Sequence, residues 1–410
     1  MNLSEVDLYD PDAYLDGVPH EALRLLRRKA PVFWHEEPHG PGFWVISKHA
    51  DVVTISRDPR RFSSARGGIH MWDYPEEQLA TMRSVMATMD PPQHGKHRRI
   101  VQRGFTPRRV AELEPWIRQL TTRILDRIAR RGDCDFVADV AVQLPIQVIA
   151  ELLGVPHEHR QRIVEWSNRI IGWDDPDFQT SSEPGRLLEG SMAAAAEMFV
   201  YANELAVARK VKPGNDLVSV LVNASVDGDA LPEAEFDGFF LLLAVAGNET
   251  TRALLAGALL ALIAHPEQRA RLIQDAGLMP TAVEEFLRWV TPINYFRRTA
   301  MEDTEIRGQK IRAGDKVVMF YASANRDEEV FDEPDRFDVG RTPNEHLAFG
   351  IGEHFCLGAQ LARLETRVVF EELLRRLPDV ELAGPVERPR SSFINATKVM
   401  PVRFTPERAP

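Results

Sequence analysis

The chain has 410 residues, 44% of them hydrophobic, with 50 Lys and Arg against 61 Asp and Glu and a net charge of −11. That length can bury a large core, and the acidic balance argues against nucleic acid as a partner. Only Cys134 and Cys356 occur, so no disulfide framework is expected and a reducing cytoplasm fits; the acidic start Met1–Leu8 lacks both parts of a signal peptide.

In chain order, a helix is predicted over His20–Ala30, then strand-like runs at Val32–Trp34 and Phe43–Ile46. The stretch from Ser64 to Asp90 reads as loop and carries Ile69, Met71, Trp72, Tyr74, Met82, Met86 and Met89. Methionine adapts to irregular apolar ligands, although ordinary packing uses it more often. From Pro91 to about Val290 the pattern is mainly helical, with apolar residues at threes and fours in Leu113, Ile117, Leu120, Ile124 and Ile128. Glycine and proline punctuate it at Gly132, Gly154, Pro213 and Pro266. Between Pro91 and Val110 lie Lys96, Arg98, Arg99, Arg103, Arg108 and Arg109 without an acid, a positive patch that Arg363 and Arg367 could extend. Solvated helix faces are the plain alternative.

The longest apolar zone, Phe236–Ala264, is interrupted by Asn248-Glu249-Thr250-Thr251-Arg252. A membrane span needs about 18 or more uninterrupted apolar residues, so a buried core helix and no membrane are expected. A carboxylate among leucines must be paired or used. A mid-helix threonine can bond back to the carbonyl one turn earlier, and Ala246 and Gly247 would leave a bare surface for a diatomic ligand. The competing reading is a packing glycine beside an ion-paired Glu249.

Strands are predicted at Thr304–Ile306 and Lys316–Phe320, then a long irregular segment, Asp327–Ala348. Phe349-Gly350-Ile351-Gly352-Glu353-His354-Phe355-Cys356-Leu357-Gly358 follows, with a helix predicted from Cys356 to about Leu377. Glycines let a chain turn with positive φ and approach a flat cofactor, and helix N-terminal amides favour a thiolate.

The pattern F-G-x-G-x-H-x-C-x-G resembles the haem-ligating loop of the cytochrome P-450 superfamily. The resemblance implies a mainly α fold with small β-sheets (α+β). It implies one domain over 1–410, β-rich at about 31–60 and 295–322 and helical at about 91–290 and 356–377. It implies haem b ligated by the Cys356 thiolate, in a loop where Phe349, Gly350 and Gly358 adjoin the cofactor. Ala246-Gly247-Asn248-Glu249-Thr250 is similar to the family's acid–alcohol motif. Thr250 would then hydrogen-bond dioxygen and Glu249 relay protons, with Ala246 and Gly247 against the cofactor. Asp90-Pro91-Pro92-Gln93-His94, with Arg98 one turn on, is similar to the family's propionate-binding helix start. By resemblance His94, Arg98, Arg298 and His354 hold the propionates, with the adjacent Arg297 a rival to Arg298.

Glu285 and Arg288 match the family's E-x-x-R pair, with Arg336 a candidate third member of that network. The same spacing recurs at Glu21/Arg24, Glu183/Arg186, Glu249/Arg252, Glu333/Arg336 and Glu387/Arg390, read as mostly surface chance. The family's pocket-lining segments correspond to Ile69, Trp72, Met86, Leu243, Ala246, Ile293 and Phe393. The implied activity is hydroxylation of a sterol, branched lipid, terpenoid or similar molecule by a cytoplasmic monomer. No G-x-G-x-x-G follows a strand and two separated cysteines cannot hold a cluster, so an acidic ferredoxin and its reductase are implied as donors. A peroxide-driven enzyme and a non-catalytic haem sensor are the alternatives.

Overall fold

The computed structural model describes residues 1–179, 184–226 and 229–407. Glu183 and the side chain of Arg186, one of the chance spacings, lie outside them. The expected α+β architecture is present: helices dominate the middle of the chain and the strands gather in small sheets.

The largest sheet orders its strands Val32–His35, Phe43–Ile46, Lys316–Phe320, Tyr295–Ala300 and Phe62–Ser63. Phe43–Ile46 runs antiparallel to its hairpin partner but parallel to Lys316–Phe320, so the two β-rich stretches, about 31–60 and 295–322, form one sheet. Side chains alternate across a strand. Arg297 and Arg298 therefore leave Tyr295–Ala300 on opposite faces, a fact used below.

The helix Glu233–Ala264, hereafter the central helix, follows from a 32-residue run without an internal proline that ends at His265-Pro266. At 1.5 Å per residue it is about 48 Å long. It has the length and hydropathy of a membrane span, but 72% of its most apolar window is buried within the protein. Helices Gln143–Leu153, Arg160–Ile171, Pro184–Val211 and Met279–Val290 pack around it. The predicted periodicity at Leu113–Ile128 forms the helix Glu114–Ile128, burying Ile117, Ile124 and Ile128.

The irregular segment after Asp327 is held by one buried clamp. Glu285 and Arg288, both 0% exposed, form a two-pronged ion pair at 2.8 Å. Arg288 also donates to the carbonyls of Asn325, Pro334 and Arg336. The third side chain is Arg341, whose Nε lies 3.2 Å from Glu285, not Arg336, whose exposed guanidinium pairs with Glu333. Arg336 contributes only its backbone oxygen. A three-stranded sheet of Glu381–Leu382, Pro401–Arg403 and Asp133–Asp135 is an addition to the sequence reading.

Candidate active site

Asn325 leads into the cysteine loop, its side chain accepting the Leu347 amide at 2.6 Å. The loop closes on itself where the Cys356 N–H donates to Phe349 O at 2.8 Å. That bond and the Leu357–Gly358 turn delay the helix to Ala359–Arg376, so Cys356 precedes it by three residues and does not open it. Gly350 and Gly352 take φ of +66° and +77°. A Cβ on Gly352 would come within 2.5 Å of Ser56 O, whereas one on Gly358 would meet no atom within 4 Å. Arg363 stacks its guanidinium 4.7 Å from the Phe349 ring centre, fixing that ring below the loop. Burial pushes the Cys356 thiol up, opposed by the Gly358 N–H and the charges of Arg98 and Arg363.

Four basic side chains converge above this loop. The rings of His94 and His354 lie 4.1 Å apart, and Arg98 donates to Phe355 O at 2.7 Å. Arg298 is 5% exposed and donates only to Arg297 O among the described residues. Burial, then Arg98 and Arg298, push His94 down to about 4; burial, then Arg298, His94 and Arg98, hold His354 well below its usual range. Neither Arg98 nor Arg298 has a carboxylate ion pair among the described residues, and burying an unpaired guanidinium costs several kcal/mol. Such a cluster fits a dianionic group, and the two propionates of haem are one. Arg297 lies outside it, spent on Trp72 O and Asp73 on the other face of the strand.

On the central helix, the Thr250 hydroxyl donates to Ala246 O at 2.7 Å. Ala246 is exposed in the middle of an otherwise buried helix, so this turn presents a small residue to open space. Gly247 turns elsewhere: its Cβ would lie 3.1 Å from Ile149, so it is a helix-packing glycine and Ala246 alone holds the expected bare position. Glu249 is fully buried and ion-paired with Arg252, which in turn bonds Asn168 at 2.8 Å. The Glu249/Arg252 spacing is thus a core pair and not surface chance. Burial pushes the Glu249 carboxyl up, and Arg252 pulls against it.

The pocket candidates divide. Ile293 pairs with Ile394 through a β-bridge and packs, like Phe393, against the cluster of Ala253, Ile394 and Ala396, of which Ala253 lies on the central helix one turn beyond Thr250. Phe393, Trp72 and the backbone of Ile69 meet around His70 and Arg297. Met86 and Leu243 instead lie in the main helical core, 5% and 7% exposed. Tyr74 belongs to the apolar and aromatic set noted in sequence, but His70 does not; a lone histidine inside the run Ile69–Tyr74, otherwise apolar and aromatic apart from Asp73, is the signal that marks it.

A lone thiol beside an unpaired basic cluster and a small-residue helix turn is the arrangement of a haem-thiolate enzyme. The cytochrome P450 family model matches residues 11–392 of the chain. A steroid C26-monooxygenase of Rhodococcus jostii is 40% identical over 98% of this chain and 86% of its own length. A methyl-branched lipid omega-hydroxylase of Mycobacterium tuberculosis is 44% identical over 99% and 95%. A solved Mycobacterium marinum cytochrome P450 in complex with pseudoionone superposes with a TM-score of 0.88, at 41% identity and 94% coverage of each chain. The chain belongs to the cytochrome P450 family. It is a monooxygenase whose cofactor is haem held by a cysteine thiolate and whose electrons come from redox partners.

Proposed function

We propose that the chain hydroxylates a hydrophobic small molecule of the sterol, methyl-branched lipid or terpenoid type, as a cytoplasmic monomer whose 410 residues act as one domain. The observation that carries the site assignment is the unpaired basic cluster, His94, Arg98, Arg298 and His354, beside the lone thiol of Cys356. In this reading Cys356 would ligate the haem iron and the four basic side chains would hold the propionates, with Phe349, Gly350, Gly358 and Ala246 bordering the cofactor. The bound haem supplies reductive activation of dioxygen and transfer of one oxygen atom into a C–H bond, with the other leaving as water.

The chain's own residues manage protons and position. Thr250 rests with its hydroxyl proton on the Ala246 carbonyl, and rotation of the hydroxyl turns that proton to a ligand at the exposed turn. Glu249, buried against Arg252, takes and releases a proton as that pair opens. Ile293 and Phe393, packed against the cluster that includes Ala253, line the path of an apolar substrate.

The donor in this reading is an acidic ferredoxin with its reductase. Arg99 and Arg103 are exposed without an ion pair among the described residues, while Arg108 and Arg109 share Glu112. Arg363 and Arg367 are neutralised by Glu284, Glu114 and Glu371, so the attracting charge lies on the helix Gln93–Val101 and the turn after it. The test compares product formed with dioxygen and reduced ferredoxin against product formed with peroxide alone. The reading expects dioxygen-dependent turnover, and a Thr250→Ala variant that still consumes dioxygen but converts about tenfold less of it to product. Equal or better turnover with peroxide in both proteins would overturn it.

A further inference from the structure

His70 is a polar group in an aromatic box. Its ring stacks on Trp72 at 4.5 Å and 11° and meets the edge of Phe393 at 4.5 Å. Trp72 in turn contacts Trp173, in the connection after the helix Arg160–Ile171. The Tyr74 hydroxyl hydrogen-bonds Nδ1 of His70. The local backbone is built for this: Gly68 takes φ of +79°, and a Cβ there would come within 3.1 Å of the Tyr74 ring.

His70 is half-buried and keeps accessible surface. Nε2 has no hydrogen-bond partner among the described residues. The phenol is the stronger acid of the pair, so the Tyr74 hydroxyl donates to Nδ1 and leaves the proton on Nε2. The relay thus presents one outward-facing N–H.

The box adjoins the substrate path. Phe393 touches His70 on one side and, like Ile293, packs on the other against the cluster of Ala253, Ile394 and Ala396, to which the central helix contributes Ala253. The neighbouring cation cannot serve an anionic ligand, because Arg297 is committed to Asp73 and Trp72 O. A carboxylate at His70 would be buried without a counter-charge, which is costly, whereas a ketone or hydroxyl oxygen needs only one donor.

We propose that His70, set by Tyr74, donates a hydrogen bond to an uncharged oxygen, a ketone or hydroxyl, at the end of the substrate remote from the carbon that is oxidised. His70 is in this account a specificity residue and Tyr74 its positioning residue. The inference rests on the reading of the site as a pocket for hydrophobic substrates, and the experiment separates the two.

The haem-loaded protein is titrated with a ketone, an alcohol, a carboxylic acid and a hydrocarbon of one acyclic terpenoid skeleton, following the Soret spin-state shift. The wild type is expected to bind the ketone or alcohol at least about tenfold tighter than the hydrocarbon, the worth of one well-made buried hydrogen bond. His70→Phe keeps the aromatic stack and should bring that ratio to about one. Tyr74→Phe, which keeps the ring but frees the tautomer, should lower the ratio to an intermediate value and serves if the first variant does not fold. An unchanged ratio in either folded variant, or tightest binding of the acid, overturns the proposal. If no ligand shifts the wild-type Soret band, the hydrophobic-pocket reading fails and the inference falls with it.

Discussion

Replacing Arg252 by Met isolates the buried carboxyl of Glu249. Arg252 is 5% exposed and Glu249 is 0% exposed, so the ion pair lies out of water. Without Arg252, Glu249 keeps one contact, from the Asn248 amide at 3.2 Å. Leaving a buried partner unpaired costs about 3–5 kcal/mol. The carboxyl can escape by taking a proton; from an ordinary value near 4.5, that costs about 4 kcal/mol at about pH 7.5 and under about 1 kcal/mol at pH 5. Its folded-state value then stands above the unfolded one, so the protonated form is stable at low pH and the penalty grows as pH rises. Arg252→Met should therefore unfold near wild-type urea concentrations at pH 5 and lose about 3–4 kcal/mol at pH 7.5. The double variant Glu249→Gln with Arg252→Met has nothing to titrate and should recover about 2 kcal/mol of that loss at pH 7.5. Urea unfolding followed by far-ultraviolet circular dichroism at both pH values makes the measurement. A deficit in Arg252→Met that is equal at the two pH values, or a double variant no better than the single, would refute the reasoning.

Three further outcomes follow from the same structure. Glu365, 2% exposed and with one carboxyl oxygen unpartnered, is pushed up to about 8 by burial alone. Its raised value makes wild-type stability fall as pH climbs from about 4.5 to 8, so Glu365→Gln should stabilise by about 3 kcal/mol more at pH 7.5 than at pH 5 in urea titrations. Gly352→Ala adds a clash with Ser56 O to its left-handed strain, whereas Gly350→Ala has no atom nearer than 3.8 Å; the first should cost about 1–2 kcal/mol more than the second, read as earlier haem release in urea. Arg298→Gln removes a buried unpaired charge, so the apoprotein should be as stable as wild type or more so, while haem is lost about tenfold faster to an acceptor protein.

The cysteine loop was legible because its chemistry is local: the glycines, His354 and Cys356 lie within ten residues. The basic cluster was legible as residue types, and the family pattern favoured Arg298 over Arg297; the physical reason lies in the strand Tyr295–Ala300, whose alternation sends the two to opposite faces. Long-range partners were not legible. Arg341 reaches Glu285 from 56 residues away, and nothing in sequence ranks it above Arg336. Glu249 and Arg252 share a spacing that recurs by chance, and only burial distinguishes them. Strands of two or three residues such as Asp133–Asp135 carry too little periodicity to be read. The late helix start at Ala359 follows from one loop hydrogen bond, Cys356 to Phe349, that no propensity encodes.

The account rests on Cys356 binding haem iron as a thiolate. The absorption spectrum of the reduced protein under carbon monoxide tests that most directly. A strongly red-shifted Soret band in freshly purified protein, abolished in Cys356→Ser, is the predicted result. An unshifted band in fresh wild-type protein, or a shifted band that survives Cys356→Ser, would contradict it.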